Sequence, residues 1–198
     1  TICVILFVIM LNLRFALNKA LSFDDREVTT FLVISVLSGF ILSFRKWGTD
    51  SFDANVGLMN LGLYSVIFFV LFFIFIYTQK VFALLIGVEA KLVVWRYGPP
   101  LGVLVTMMSY GLVPFMFLGG IELKEIPRLR LGKLRSQFMI SNLAVVGVSG
   151  PLMLILLSLL VFFPLFLVSG SFVWFEFVKI SSLILVVTSL PFPTLNGI

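Results

Sequence analysis

Val66-Ile67-Phe68-Phe69-Val70-Leu71-Phe72-Phe73 is an unbroken apolar run inside a longer stretch, residues 56–78, that carries no charged side chain. About twenty such residues, wound as a helix, cross the hydrocarbon of a bilayer. Apolar side chains on every face suit a helix surrounded by other helices or by lipid. The stretch therefore predicts a membrane-spanning helix. Gln79 and Lys80 follow it, the helix can continue to Ile86, and Gly87 is placed to cap it.

The rest of the chain has the same character. Mean hydropathy is +1.20, and 61% of residues are hydrophobic, which excludes an ordinary water-soluble domain. Phe alone supplies 23 of 198 residues, and the charged 12% fall in clusters between apolar stretches. The expectation is an all-α polytopic membrane protein with about four to six transmembrane or re-entrant helices. Residues 1–27 form an apolar and interfacial N-terminal segment, and residues 28–198 form one membrane domain. A net charge of +5 is small for a nucleic-acid binder, and the basic residues flank apolar segments. They read as membrane-edge anchors, so the expected partner is the lipid bilayer and not nucleic acid. Cys3 is the single cysteine, which leaves no intrachain disulfide and no thiol metal cluster. The apolar start is short and lacks a small-residue cleavage site. The chain begins at Thr1 and stops within a motif, as a piece of a longer protein would.

Ser22 ahead of Asp24, Asp25 and Glu27 suits a helix start: a hydroxyl cap, then acids near the positive end of the dipole. A first span is expected at 28–44, closed at an interface by Arg45, Lys46 and Trp47. Residues 48–55 read as a polar loop. Beyond the central span, Val88-Glu89-Ala90-Lys91-Leu92-Val93-Val94-Trp95 partly alternates and is rich in β-branched residues, which predicts a strand. Gly119-Gly120-Ile121-Glu122-Leu123-Lys124 is a candidate second strand. Between them, Gly98-Pro99-Pro100 ends whatever precedes it. Residues 101–118 contain Gly102, Gly111 and Pro114, and read equally as a kinked or re-entrant segment and as a straight span. A re-entrant backbone is tolerated only where protein buries it. A basic segment follows with Lys124, Arg128, Arg130, Lys133 and Arg135, then a long helix at 138–168 and a last span at 177–190. Gly170, Ser171, Trp174, Glu176 and Lys179 between these two read as an interfacial turn. Glu176 and Lys179, three apart, are the best candidates for an ion-conducting pair.

Orientation depends on residues 101–118. If they cross, Lys and Arg divide equally between the two sides. If they do not, Arg45, Lys46 and Lys179 stand on one side and the other eleven basic residues on the opposite side. The second arrangement has the asymmetry of the positive-inside rule, with the basic segment cytoplasmic.

Three blocks remain: Ala83-Leu84-Leu85-Ile86-Gly87-Val88-Glu89-Ala90-Lys91-Leu92-Val93-Val94-Trp95; Val148-Ser149-Gly150-Pro151-Leu152-Met153; and Pro191-Phe192-Pro193-Thr194-Leu195-Asn196-Gly197. In their order and spacing they resemble the site-2 protease family of intramembrane zinc metalloproteases, most closely its short archaeal-type members. The first block is similar to the helix end and strand that follow the family's His-Glu-x-x-His helix. The second is similar to its Ala-Gly-Pro-Leu helix start, and the third to its Pro-x-Pro-x-x-Asp-Gly stretch. Asp24-Asp25-Arg26-Glu27 before the first span adds to the likeness, which covers about residues 22–198. It implies a membrane-embedded helical fold with a small β-hairpin.

In that family two His, one helical turn apart, and the Asp bind zinc, with Glu as general base. Counting back from Gly87, the helical motif falls on Phe75-Ile76-Tyr77-Thr78-Gln79, and the Asp position is Asn196. Phe75 cannot bind zinc, Ile76 cannot move a proton, Gln79 is a poor ligand and Asn196 lacks the carboxylate charge. The chain has no His, and Glu89 is the sole acid between Asp53 and Glu122, so no shift of register restores the site. The resemblance thus implies a pseudoprotease, with no metal, no cofactor and no catalytic residue. Phe75, Tyr77 and Phe82 are expected to fill the metal's place. Tyr77, Thr78 and Gln79 read as a helix end at an interface or as polar remnants of the site.

No Walker loop, Gly-x-Ser-x-Gly or Cys-x-x-Cys-His occurs. The expected role is a non-catalytic scaffold or accessory subunit in a hetero-oligomeric membrane complex of a prokaryotic plasma membrane. Gly147 and Gly150 would let helices approach closely. The alternative is an unrelated accessory or ion-conducting subunit of a respiratory, transport or secretory complex. The two differ in geometry: residues 75–79 and 191–197 should meet in the first and need not in the second.

Overall fold

A computed structural model describes residues 25–47, 53–86, 88–94, 97–116, 119–125 and 136–189. Helix α1 (Asp25–Ser43) ends in a 3-10 turn at Phe44–Lys46, and α2 (Ala54–Ile86) returns antiparallel to it. Strand β1 (Val88–Val93), the short helix α3 (Gly98–Met108) and strand β2 (Gly120–Glu125) follow. Helix α4 (Ser136–Leu157) passes through a π turn at Ser158–Phe162 into α5 (Phe163–Ser169), and α6 (Phe172–Ser189) comes last among the described elements. Most of the described chain is helical, with one small two-stranded sheet.

Among the described residues, three helical rods are long and apolar enough to cross a membrane by length and composition: Asp25–Lys46, Ala54–Ile86 and Ala144–Ser169. The central one has 33 residues, about 50 Å of helix, against about 30 Å of hydrocarbon. The expected spans at 28–44 and 56–78 correspond to α1 and α2, and α2 does run on to Ile86.

The described part of the expected 101–118 segment, residues 101–116, does not form a span. Helix α3 has 11 residues, about 16 Å, too short to cross. Gly98, Pro99 and Pro100 open it, since proline is tolerated where no intrahelical N–H is needed. Tyr110 and Gly111 end it at φ 52° and 72°. Gly111 N–H donates to Thr106 O at 2.8 Å and Tyr110 N–H to Met107 O at 3.1 Å, the paired bonds of a Schellman ending.

Both predicted strands exist, and they pair. The register is antiparallel, from Val88 opposite Glu125 to Val93 opposite Gly120. Val88 and Ala90 turn inward onto Ala83 of α2 and Val146 of α4, while Lys91 and Val93 face out, so the alternation in the sequence is the alternation of burial.

The last helix starts earlier than its apolar composition indicates. Trp174, Glu176 and Lys179 are not in a turn; they lie inside α6. The reversal is complete by then, because Gly170 takes φ 59° and donates its N–H to Phe166 O at 2.8 Å. The π turn ends two residues before Pro164, whose ring excludes the carbonyl of Leu160, inside that turn, from α-helical bonding.

Helix α2 is the centre of the bundle. Tyr64, Ile67, Phe68, Leu71, Phe72, Phe75 and Ile76 form one buried stripe, packed against Phe31, Ile34 and Ile41 of α1, Leu154 and Phe162 of the α4–α5 rod, and Ile180 and Ile184 of α6. Phe31 stacks on Phe72 at 4.9 Å between centroids and meets Phe69 edge-on at 5.0 Å, both favoured aromatic geometries.

Candidate functional site

The positions singled out by the family resemblance lie on the buried stripe of α2. Phe75 is 6% exposed, Ile76 2% and Gln79 5%. Phe75 stacks on Phe72, one helical turn earlier. Gln79 Nε2 donates to the carbonyl of Gly147 at 3.3 Å, across to α4. At Gly150 a Cβ would meet the Phe75 ring at 2.8 Å and Gln79 Cδ at 3.0 Å. The second sequence block thus packs on the degenerate motif. Gly147 contributes its carbonyl only, because a Cβ there would meet nothing within 4 Å. Asn196, with the whole 191–197 stretch, lies outside the described residues. So do the Gly87 cap, Arg128, Arg130, Lys133, Arg135, Trp95 and everything before Asp25.

The expected aromatic plug is narrower than three residues. Phe75 faces the core, but Phe82 is exposed and Tyr77 stacks on the outward-facing Phe73 at 6.0 Å. The reason is angular: 75 and 82 are seven apart, nearly two turns, yet the helix has been drifting, and at 79, 80 and 83 its buried face has already moved past 82. Gln79 does not end the helix either; two further turns follow it. Thr78 closes on the helix itself, its hydroxyl donating to Ile74 O at 2.8 Å.

These side chains do not fit a zinc ion. Two are hydrocarbon, and the third is an amide engaged with Gly147. Among the described residues, no three His, Cys, Asp or Glu side chains converge.

Two polar clusters are present; the sequence reading singles out Glu176 and Lys179 of the second as a pair, but does not add Lys46 or Tyr64 to it, and gives none of the pairing in the first. In the first, Lys80 Nζ pairs with Glu27 Oε2 at 2.6 Å, and Glu27 Oε1 accepts the Leu92 N–H of β1 at 3.0 Å. Glu27 is therefore more than a helix-start acid, and Lys80 is 5% exposed within the stripe rather than at a helix end. In the second, Lys46 Nζ pairs with Glu176 Oε1 at 2.7 Å and also donates to the Tyr64 hydroxyl. Lys179 Nζ lies 3.6 Å from Glu176 Oε2. Glu176 itself is 1% exposed.

The clusters sit at opposite ends of the bundle. From Glu27 to Lys46 along α1 is about 28 Å of helix, close to the thickness of a bilayer's hydrocarbon. The buried stripe of α2, at 64, 67/68, 71/72 and 75/76, continues to 79/80 and 83 and so carries Lys80 into the first cluster. No family model, curated protein or solved structure matches this chain.

Proposed function

We propose that this chain is a site-2-protease-like membrane pseudoenzyme that works by contact, as a scaffold or accessory subunit of a hetero-oligomeric membrane complex. The observation that carries the reading is the packing at Gly150. The glycine of the Gly-Pro-Leu block lies against Phe75 and Gln79, the two positions where that family places its His ligands. Strand β1, which directly follows α2 and pairs with β2, supports it too, since the resemblance implies strands there. A wall of phenyl ring and bonded amide offers packing surface and no Lewis acid.

In this reading α1, α2, the α4–α5 rod and α6 cross the bilayer, while the segment from β1 through α3 to β2 enters and leaves on the hairpin side, its tip at Gly111 lying against Phe44 and Arg45. Arg45, Lys46 and Lys179 then face one side and the remaining basic residues the other, which makes the hairpin side cytoplasmic in a prokaryotic plasma membrane. The alternative of an ion-conducting subunit draws on Glu176, a buried acid within an apolar helix. Its two lysine partners at the bundle end make it an anchored charge, which favours the scaffold.

Two measurements test the proposal. Elemental analysis of purified protein is expected to find no stoichiometric zinc, and an intramembrane peptide substrate should stay uncleaved. About one zinc per chain, lost on changing Gln79, would overturn the pseudoenzyme. Gentle solubilisation followed by mass measurement should give a particle containing other membrane subunits besides this 22.2 kDa chain. A monodisperse monomer would refute the scaffold.

A further inference from the structure

We propose that Lys46 and Lys179, where the end of α1 meets α6, bind the phosphate of an anionic membrane-lipid headgroup. Both ammonium groups converge on the one carboxylate of Glu176, at 2.7 Å and 3.6 Å. Two cations against one anion leave a positive excess, and exposed Arg45 adds to it. Among the described residues the nearby acid is Asp53, whose Oδ1 accepts the N–H groups of Asn55 and Val56 at the start of α2, where the positive end of the helix dipole partly offsets its charge. Glu176 lies buried beneath its lysines, so what the surface presents is ammonium.

The donors are also incompletely used. An ammonium has three N–H groups. Those of Lys46 reach Glu176 and Tyr64, with its charge held 4.6 Å from the centroid of the Phe172 ring. The 3.6 Å approach of Lys179 is too long for a hydrogen bond, and its side chain is 53% exposed. The cluster stands about 28 Å along α1 from the Glu27–Lys80 pair, which is the level of headgroups if that pair marks the other edge. Exposed Phe172 and half-buried Trp47 and Trp174 give it the aromatic surroundings of that level. Charge complementarity selects an anionic lipid over a zwitterionic one. The inference goes beyond the scaffold reading and requires only that the helices cross a bilayer.

The test is native mass spectrometry of the full chain released from micelles titrated with phosphatidylglycerol or phosphatidylcholine. Phosphatidylglycerol should be retained preferentially, about fivefold more weakly in Lys179→Gln, with recovery in Lys179→Arg. Lys179 is exposed enough for the variant to fold. Millimolar inorganic phosphate should not displace the lipid; displacement would make free phosphate the ligand and overturn the lipid assignment. Equal retention of the two lipids, or unchanged retention in Lys179→Gln, would also overturn it.

Discussion

Gly39→Leu is expected to separate α1 from α2 and to cost the fold about 3 kcal/mol or more, near the top of the range for overpacking a tight contact. A Cβ at residue 39 would collide with the Ser65 hydroxyl and lie 2.8 Å from both the N and Cα atoms of Ser65. The hydroxyl can rotate away. The backbone of Ser65 cannot, because it is fixed mid-way along α2 by helical bonds on both sides. The helices must therefore move apart, and the Phe31–Phe72 stack and the contacts of Ile34 and Ile41 move with them. In lipid no hydrophobic driving force restores the pair, since the tails are as apolar as the side chains, so close van der Waals contact carries the association. Two controls grade the effect. Gly150 abuts side chains that can rotate, so Gly150→Ala should cost about 1 kcal/mol. Gly62 has nothing within 4 Å of its would-be Cβ, and Gly62→Ala should be neutral or slightly stabilising. Denaturant unfolding in mixed micelles, followed by circular dichroism, measures all three. Equal stability of Gly39→Leu and Gly62→Ala would refute the packing of α1 on α2.

Hydropathy locates long helices well, because length and apolarity are properties of a segment alone. That is why 28–44 and 56–78 were legible, and why Val88-Glu89-Ala90-Lys91 read as a strand from its alternation. The faces of those helices were less so. Residues 66–73 are apolar all round, so polarity cannot tell Phe68, fully buried, from Val66, exposed. The face is set by where small residues let a neighbour approach, here Ser35, Ser38 and Gly39 on α1. The start of α6 was obscured for the opposite reason. Glu176 and Lys179 resemble a loop by composition, while their partner Lys46 lies 130 residues away from Glu176. A charge satisfied over such a distance carries no local signature. The degenerate motif was legible as a register, and its burial follows from the stripe; which group meets Asn196 depends on residues beyond those described.

Glu27→Ala should destabilise the protein by about 3–5 kcal/mol, the usual cost of removing one partner of a buried ion pair. The carboxylate has two duties. One oxygen neutralises Lys80, whose side chain is 6% exposed, and the other accepts a strand N–H from Leu92. Truncation takes the Glu27 carboxylate from the ammonium and leaves the Leu92 amide without this acceptor, the second alone worth about 1–3 kcal/mol when buried. Lys80→Met is also expected to be costly, since Glu27 is then charged and nearly buried with one amide donor remaining. Glu27→Leu combined with Lys80→Met removes both charges together, and should cost less than the sum of the singles by about 2 kcal/mol or more. Strict additivity in that cycle would show that the pair is not coupled. Hydrogen exchange then separates the two duties. In Lys80→Met the Leu92 amide should stay protected, because Glu27 still accepts its proton. In Glu27→Ala it should exchange faster, along with the β1 residues flanking it. The reason is geometric: the sheet has two strands, too few for independent stability, so its hold on the bundle is the packing of Val88, Ala90, Leu92 and Ile121 together with this carboxylate, which ties the start of α1, the last turns of α2 and the outer edge of β1 at a single point.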